Sequence, residues 1–95
     1  MLKNYLDEEE LAQIYETFEP SMLESLDEKN MNEIIEYLNK NVTITKDILL
    51  YYLDLFTFES KEFIRKFERL KSILGENYSI LLEENIDFLE RMYKL

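Results

Sequence analysis

Ninety-five residues are enough for one hydrophobic core and too few for two, so residues 1–95 are read as a single domain. A net charge of -10 accompanies 46% apolar residues, seven Tyr and six Phe, which is far more core-forming material than a disordered acidic tail carries. The chain has no His and no Cys, which removes the commonest general base, the imidazole metal ligand, the thiolate nucleophile and any disulfide.

Gly75 is the only glycine and Pro20 the only proline, so few tight turns are available, and the apolar residues recur at three and four rather than at two. The expected fold is all-α, a compact bundle of about five helices. Asp7 with Glu10 reads as a capping box, and Leu6 with Leu11 as the hydrophobic staple around it, so the first helix should begin near Glu8. Its apolar stripe is Leu11, Ile14, Tyr15 and Phe18, and Pro20 stops it. Residues 21–26 offer room for one short turn. Asp27 caps a second long helix over residues 28–40, with Leu26 and Met31 as staple and Met31, Ile34, Ile35 and Leu38 as its inner face. Thr45 caps a third helix, with Ile44 and Leu49 as staple. Ser60 caps a fourth, whose face is Phe63, Ile64, Phe67, Leu70 and Leu74 and which Gly75 ends. Asn77 opens a last helix carrying Leu81, Leu82, Ile86, Leu89, Met92 and Tyr93, with Asp87–Arg91 and Glu90–Lys94 as acid-first pairs at i, i+4.

The capping positions Asp7, Thr45 and Asn77 are each followed four residues later by Leu and eleven residues later by Phe (Phe18, Phe56, Phe88). The spacing suits a helix-pair repeat, but only two and a half units fit, which leaves a compact bundle and a solenoid fragment both open. Glu19-Pro20-Ser21-Met22-Leu23, Ile34-Ile35-Glu36-Tyr37-Leu38, Ile48-Leu49-Leu50 and Leu55-Phe56 resemble the repeats of the mitochondrial transcription termination factor family. The resemblance implies repeats of two helices and a short 3₁₀ turn, with proline then leucine near the end of the first helix. Only the first unit has that proline; Phe58 stands at its place in the second. Members of that family bind nucleic acid through a basic surface, which this chain lacks over most of its length.

No segment near the N-terminus has the apolar run of an export signal, and none approaches the roughly 20 apolar residues of a membrane span, so the expected location is the cytoplasm. Asn41-Val42-Thr43 and Asn77-Tyr78-Ser79 match a glycosylation pattern but read as helix boundaries. A calcium loop, a Glu-x-x-His di-iron pair and a phosphate-cradling glycine loop are all missing, so neither a cofactor nor a metal is expected. Glu83, Glu84 and Asp87 lie within a helical turn of one another, and their spacing reads as a solvated face rather than an acid–base pair. No enzyme is expected.

Charge placement says more. Residues 1–39 hold eleven acidic and two basic side chains, a net of -9, whereas residues 40–95 hold ten and nine, a net of -1. Asp7 to Glu10 suit the N-terminal dipole of the first helix, and Glu33 and Glu36 are flanked by Lys29 and Lys40. Glu16 and Glu19 fall where that dipole disfavours them, and Glu24 follows with no base nearby. The converse mismatch is a basic stripe, Lys61, Arg65 and Arg69, opening the fourth helix. The acidic end and the basic stripe either face each other, within the molecule or across a homodimer, or they are surfaces for oppositely charged partners. In the third helix Ile48 to Leu53, then Leu55, Phe56 and Phe58, are apolar nearly all round, which suits a central helix; Tyr51 and Tyr52 are the candidates for an exposed aromatic patch.

The leading expectation is therefore a non-enzymatic protein-interaction module that binds a protein with a basic surface through Glu16, Glu19 and Glu24, through Tyr51 and Tyr52, or both. The alternative is an acidic nucleic-acid mimic, an inhibitor of a nucleic-acid enzyme such as a phage anti-CRISPR. Direct nucleic-acid binding through Lys61, Arg65, Lys66, Arg69 and Lys71 is disfavoured by the net charge and by Glu62 and Glu68 within the stripe.

Overall fold

Asp7 opens the first long helix with both halves of a capping box: its carboxylate accepts from the Glu10 N–H, and the Glu10 carboxylate accepts from the Asp7 N–H, each at 2.9 Å. The computed structural model describes residues 2–95, and within them every regular element is helical, with no strand. A short 3₁₀ turn, η1 (Leu2–Asn4), precedes α1 (Glu8–Thr17) and α2 (Pro20–Glu24). Then follow α3 (Glu28–Asn41), α4 (Thr45–Tyr51), the 3₁₀ segment η2 (Leu53–Thr57), α5 (Ser60–Leu74), α6 (Tyr78–Glu84) and the 3₁₀ segment η3 (Ile86–Lys94).

Several expected boundaries move. Pro20 forces Glu19 into extended backbone (φ -71°, ψ 143°), so α1 ends at Thr17, and Pro20 itself becomes the first residue of α2, where its missing N–H costs nothing. Asp27 caps α3 as expected, accepting from the Asn30 N–H at 2.9 Å. Thr45, Ser60 and Asn77 do not cap. Thr45 and Ser60 lie inside their helices, and Asn77 precedes α6 without a side-chain bond. The Thr45 hydroxyl is buried without a partner. Asn30, thirty residues away, caps α5 instead: its Oδ1 accepts from the Ser60 N–H at 2.7 Å, while its Nδ2 donates to the carbonyls of Phe58 at 2.7 Å and Phe56 at 3.3 Å. The Ser60 hydroxyl donates to Glu33 at 2.5 Å. Gly75 ends α5 at φ 86°, ψ -167°, a conformation open to glycine and strained for any side chain.

The expected third and fifth helices each break. The apolar run after Thr45 turns at Tyr52 from α4 into η2, and the last helix turns at Asn85, whose side chain accepts from the Asp87 N–H at 3.1 Å, from α6 into η3. The order long helix, seven-residue helix, 3₁₀ segment thus occurs twice, as α3–α4–η2 and α5–α6–η3. One continuous core runs from Leu2 to Met92. At its centre the Phe63 and Phe67 rings stack at 6.1 Å, with Tyr37 and Tyr78 edge-on to Phe67 at 5.6 and 6.4 Å. Most of the α4–η2 run is buried, as a central element should be, but Tyr51 is not, and Tyr15 of the α1 stripe faces solvent at 65% exposure. The radius of gyration, 12.9 Å, is close to the roughly 13 Å of a compact body of this length, which is consistent with a compact bundle.

Candidate functional site

The two helix breaks bring the sequence's separate candidates together. In η3 the chain runs as a 3₁₀ helix for nine residues, where such helices rarely exceed three or four. With three residues per turn, every third side chain eclipses. Leu89 and Met92 form the buried row with half-buried Ile86 and Leu95, and Asp87, Glu90 and Tyr93 form a second row. The expected Asp87–Arg91 and Glu90–Lys94 pairs do not form, because i, i+4 neighbours share a face only at the α-helical period.

That second row faces the α4–η2 break. The Tyr52 hydroxyl donates to Asp87 Oδ1, and the Tyr93 hydroxyl donates to Asp54 Oδ2, each at 2.6 Å. Each 3₁₀ segment thus lends a carboxylate to a tyrosine associated with the other, a clamp of two side-chain hydrogen bonds between the segments. The Tyr52 and Tyr93 hydroxyls are pushed well above the ordinary 10.0, first by burial, then by the hydrogen bond and the negative charge of Asp87 and Asp54 respectively.

Between this clamp and the α1–α2 turn lies an open cleft of about 680 Å³, lined by Thr17, Phe18, Glu19, Met22, Tyr51, Tyr52, Asp54, Glu90, Tyr93 and Lys94. A smaller hollow against Tyr51, Tyr52, Ile86, Asp87 and Glu90 continues the same surface. Tyr51 and Tyr93 are 56% and 44% exposed, so both are accessible to a partner. Lys94 is the only base in the lining, against the carboxylates of Glu19, Asp54 and Glu90. Asp54 already accepts from Tyr93, whereas the Glu19 and Glu90 carboxylates have no ion pair or hydrogen bond among the described residues. Both α1 and α4 end at this cleft, at Thr17 and Tyr51, and neither has a basic residue in its last turn. No basic side chain of either helix offsets their C-terminal partial negative charges there. Only two five-residue segments, α2 and η2, begin at the same place.

Of the acids singled out from the sequence, Glu19 lines the cleft; Glu16 and Glu24 are exposed outside its lining. Tyr51 and Tyr52 both line it, Tyr52 buried and Tyr51 open. The basic stripe is elsewhere, on α5. Lys61 borders a shallow hollow with Asp27, Glu33 and Glu59; Arg65 is held by Glu62 at 2.5 Å; Arg69 is exposed. Within the molecule the acidic end of α1 and this stripe do not pair: the ion pairs among the described residues are Lys46–Glu10, Arg65–Glu62, Lys66–Glu62 and Lys71–Glu68. Lys29 and Lys40 likewise form no ion pair with Glu33 or Glu36, and Glu33 instead accepts from Ser60.

Asp54, Glu90 and Tyr93 were not marked by the sequence as site residues. The available signal was Asn85, whose Asx turn before Asp87 breaks the helix and changes the period of everything after it. Among the described residues no group of three His, Cys, Asp or Glu side chains is placed to hold a metal ion, and no helix is long and apolar enough to cross a membrane. Comparison with known proteins finds no matching family model, no matching curated protein and no matching solved structure.

Proposed function

We propose that the chain is a non-catalytic protein-interaction module that docks a basic segment of another protein in the cleft between the α1–α2 turn, the α4–η2 break and η3. The observation that carries the proposal is the convergence in one open cleft of Glu19 and Glu90, which lack partners, with the exposed rings of Tyr51 and Tyr93. Tyrosine is enriched where interfaces concentrate their binding energy, and complementary charge steers encounter and fixes register. Co-purification from the native cell extract tests it, with the wild type run against the triple variant Glu19→Gln, Tyr51→Ala, Glu90→Gln. A protein retained at low salt by the wild type and lost by the variant supports the proposal; identical sets of proteins on both contradict it.

A second reading, the nucleic-acid mimic, draws on Glu16, Glu19 and Glu24, which are exposed and without ion pairs around the α1–α2 turn. Such a mimic would inhibit a nucleic-acid enzyme, and Glu16→Gln, Glu19→Gln, Glu24→Gln together should abolish inhibition. Inhibition that survives this variant with a flat salt dependence removes the idea. Kinship with the termination-factor repeats is proposed only on the residues quoted for it and adds nothing to either reading.

A further inference from the structure

We infer that the group the cleft takes from its partner is an arginine side chain, stacked on the exposed Tyr51 and paired edge-on with Glu90; this rests on the basic-partner reading and narrows it. The lining asks for a group that is cationic and planar. A cation is called for by the two unpartnered carboxylates and by the C-termini of α1 and α4, which end at Thr17 and Tyr51 with no base in either last turn. A flat face is called for by the rings and the thioether around it, namely Phe18, Met22, Tyr51 and Tyr93.

The 3₁₀ period of η3 sets the spacing. Glu90 and Tyr93 are one turn apart on the same row, about 6 Å along the axis at a rise of about 2.0 Å per residue. A cation is attracted to a ring when it lies within about 6 Å of the ring centroid. Tyr51 and Glu90 line both the cleft and the smaller hollow beside it, so a guanidinium lying flat on the Tyr51 ring can turn its N–H edge to the Glu90 carboxylate. A lysine ammonium is a compact, strongly hydrated point charge that must give up much of its hydration to lie on a ring, whereas guanidinium is weakly hydrated on its faces. A hard metal ion needs several converging oxygens, and among the described residues no three acidic side chains are placed to hold one. The free tyrosine is Tyr51, since its hydroxyl makes no internal bond while those of Tyr52 and Tyr93 are engaged in the clamp.

The test uses three blocked tetrapeptides of alternating glycine and arginine, glycine and lysine, or glycine and citrulline, with affinities measured by calorimetry at low salt against the full chain. The arginine peptide is expected to bind more tightly than the lysine peptide by about two- to fivefold, the span of an exposed cation–π contact, and the neutral citrulline peptide not at all. Tyr51→Ala should erase the arginine advantage while leaving lysine affinity nearly unchanged. Glu90→Gln should weaken both, and Glu76→Gln, in the α5–α6 turn and outside the cleft lining, neither. Equal affinities for arginine and lysine, indifferent to Tyr51→Ala but lost in Glu90→Gln, overturn the stacking while the basic-partner reading stands. Failure of both basic peptides to bind overturns the two together.

Discussion

Asn30→Ala removes three tertiary hydrogen bonds at once, because this side chain joins the start of α3 to the end of η2 and the start of α5. The lost bonds run to the Ser60 N–H at 2.7 Å, to the Phe58 carbonyl at 2.7 Å and to the Phe56 carbonyl at 3.3 Å. A typical hydrogen bond contributes a net of about 0.5–1.5 kcal/mol, and the longest of these three belongs at the bottom of that range. Asn30 is only half-buried, so water reaches some of the groups left behind and lowers the cost. The expected loss is about 2–3 kcal/mol. With a denaturant slope of about 1 kcal/mol per molar urea for a small domain, the unfolding midpoint should fall by about 2 M with the slope unchanged. Asn30→Asp keeps the acceptor for Ser60 but turns a carboxylate on two carbonyls, so at neutral pH it should be at least as damaging. A midpoint lowered by less than about 0.5 M in Asn30→Ala would refute the idea that α5 is capped from α3.

Three further outcomes follow from the same geometry. Tyr52→Phe, which removes the 2.6 Å bond from a buried hydroxyl to Asp87, should cost about 1–2 kcal/mol in urea unfolding and change the amide spectrum of both 3₁₀ segments; an unchanged midpoint would mean the clamp contributes nothing. The hydroxyls of Tyr37, Tyr52 and Tyr93 all lie above the ordinary 10.0, in each case first through burial, so the unfolded chain loses these protons at a lower pH than the folded one does. Stability should therefore hold below about pH 10 and fall as pH rises beyond it, and a urea midpoint that stayed level or rose between pH 9 and pH 11 would contradict this. Gly75→Ala meets open space but forces a side chain onto φ 86°, ψ -167°, so it should destabilise by about 1–3 kcal/mol through backbone strain; a neutral result would show that the α5–α6 turn relaxes freely.

How much of this was legible in the sequence depended on how local the deciding interaction is. The capping box of Asp7 and Glu10 and the cap of Asp27 were readable because donor and acceptor lie three residues apart. The inner faces of α3 and α5 were readable because their period is that of an α-helix along their whole length; Met31, Ile34 and Leu38, then Phe63, Phe67 and Leu70, are all fully buried. Ser60 was misread as a cap because the group that satisfies its N–H comes from Asn30, which no local pattern reveals. The last helix was misread because its apolar positions fit both periods near Leu89 and Met92, and only the turn at Asn85 selects three residues per turn over 3.6. That one misreading hid the η3 wall of the cleft, which is Glu90, Tyr93 and Lys94. Glu90 and Lys94 looked like a neutralised pair, and Tyr93 like a core residue, whereas η3 places Glu90 and Tyr93 together at an open surface. Tyr51 and Tyr52 stood out by composition alone, and Glu19 by its quarrel with the dipole of α1. Nothing in the sequence showed that they share one site, since that follows from where α1 and α4 both end.

The binding role of the cleft is tested most directly by amide NMR spectra of the full chain titrated at low salt with the glycine–arginine peptide. Shifts are predicted in the three segments that contribute the lining, around Thr17, Phe18, Glu19 and Met22, around Tyr51, Tyr52 and Asp54, and around Glu90, Tyr93 and Lys94, and they should weaken as salt is raised. Shifts spread evenly over the other acids, such as Glu8, Glu9, Glu28 and Glu76, or no shifts at all, would contradict it.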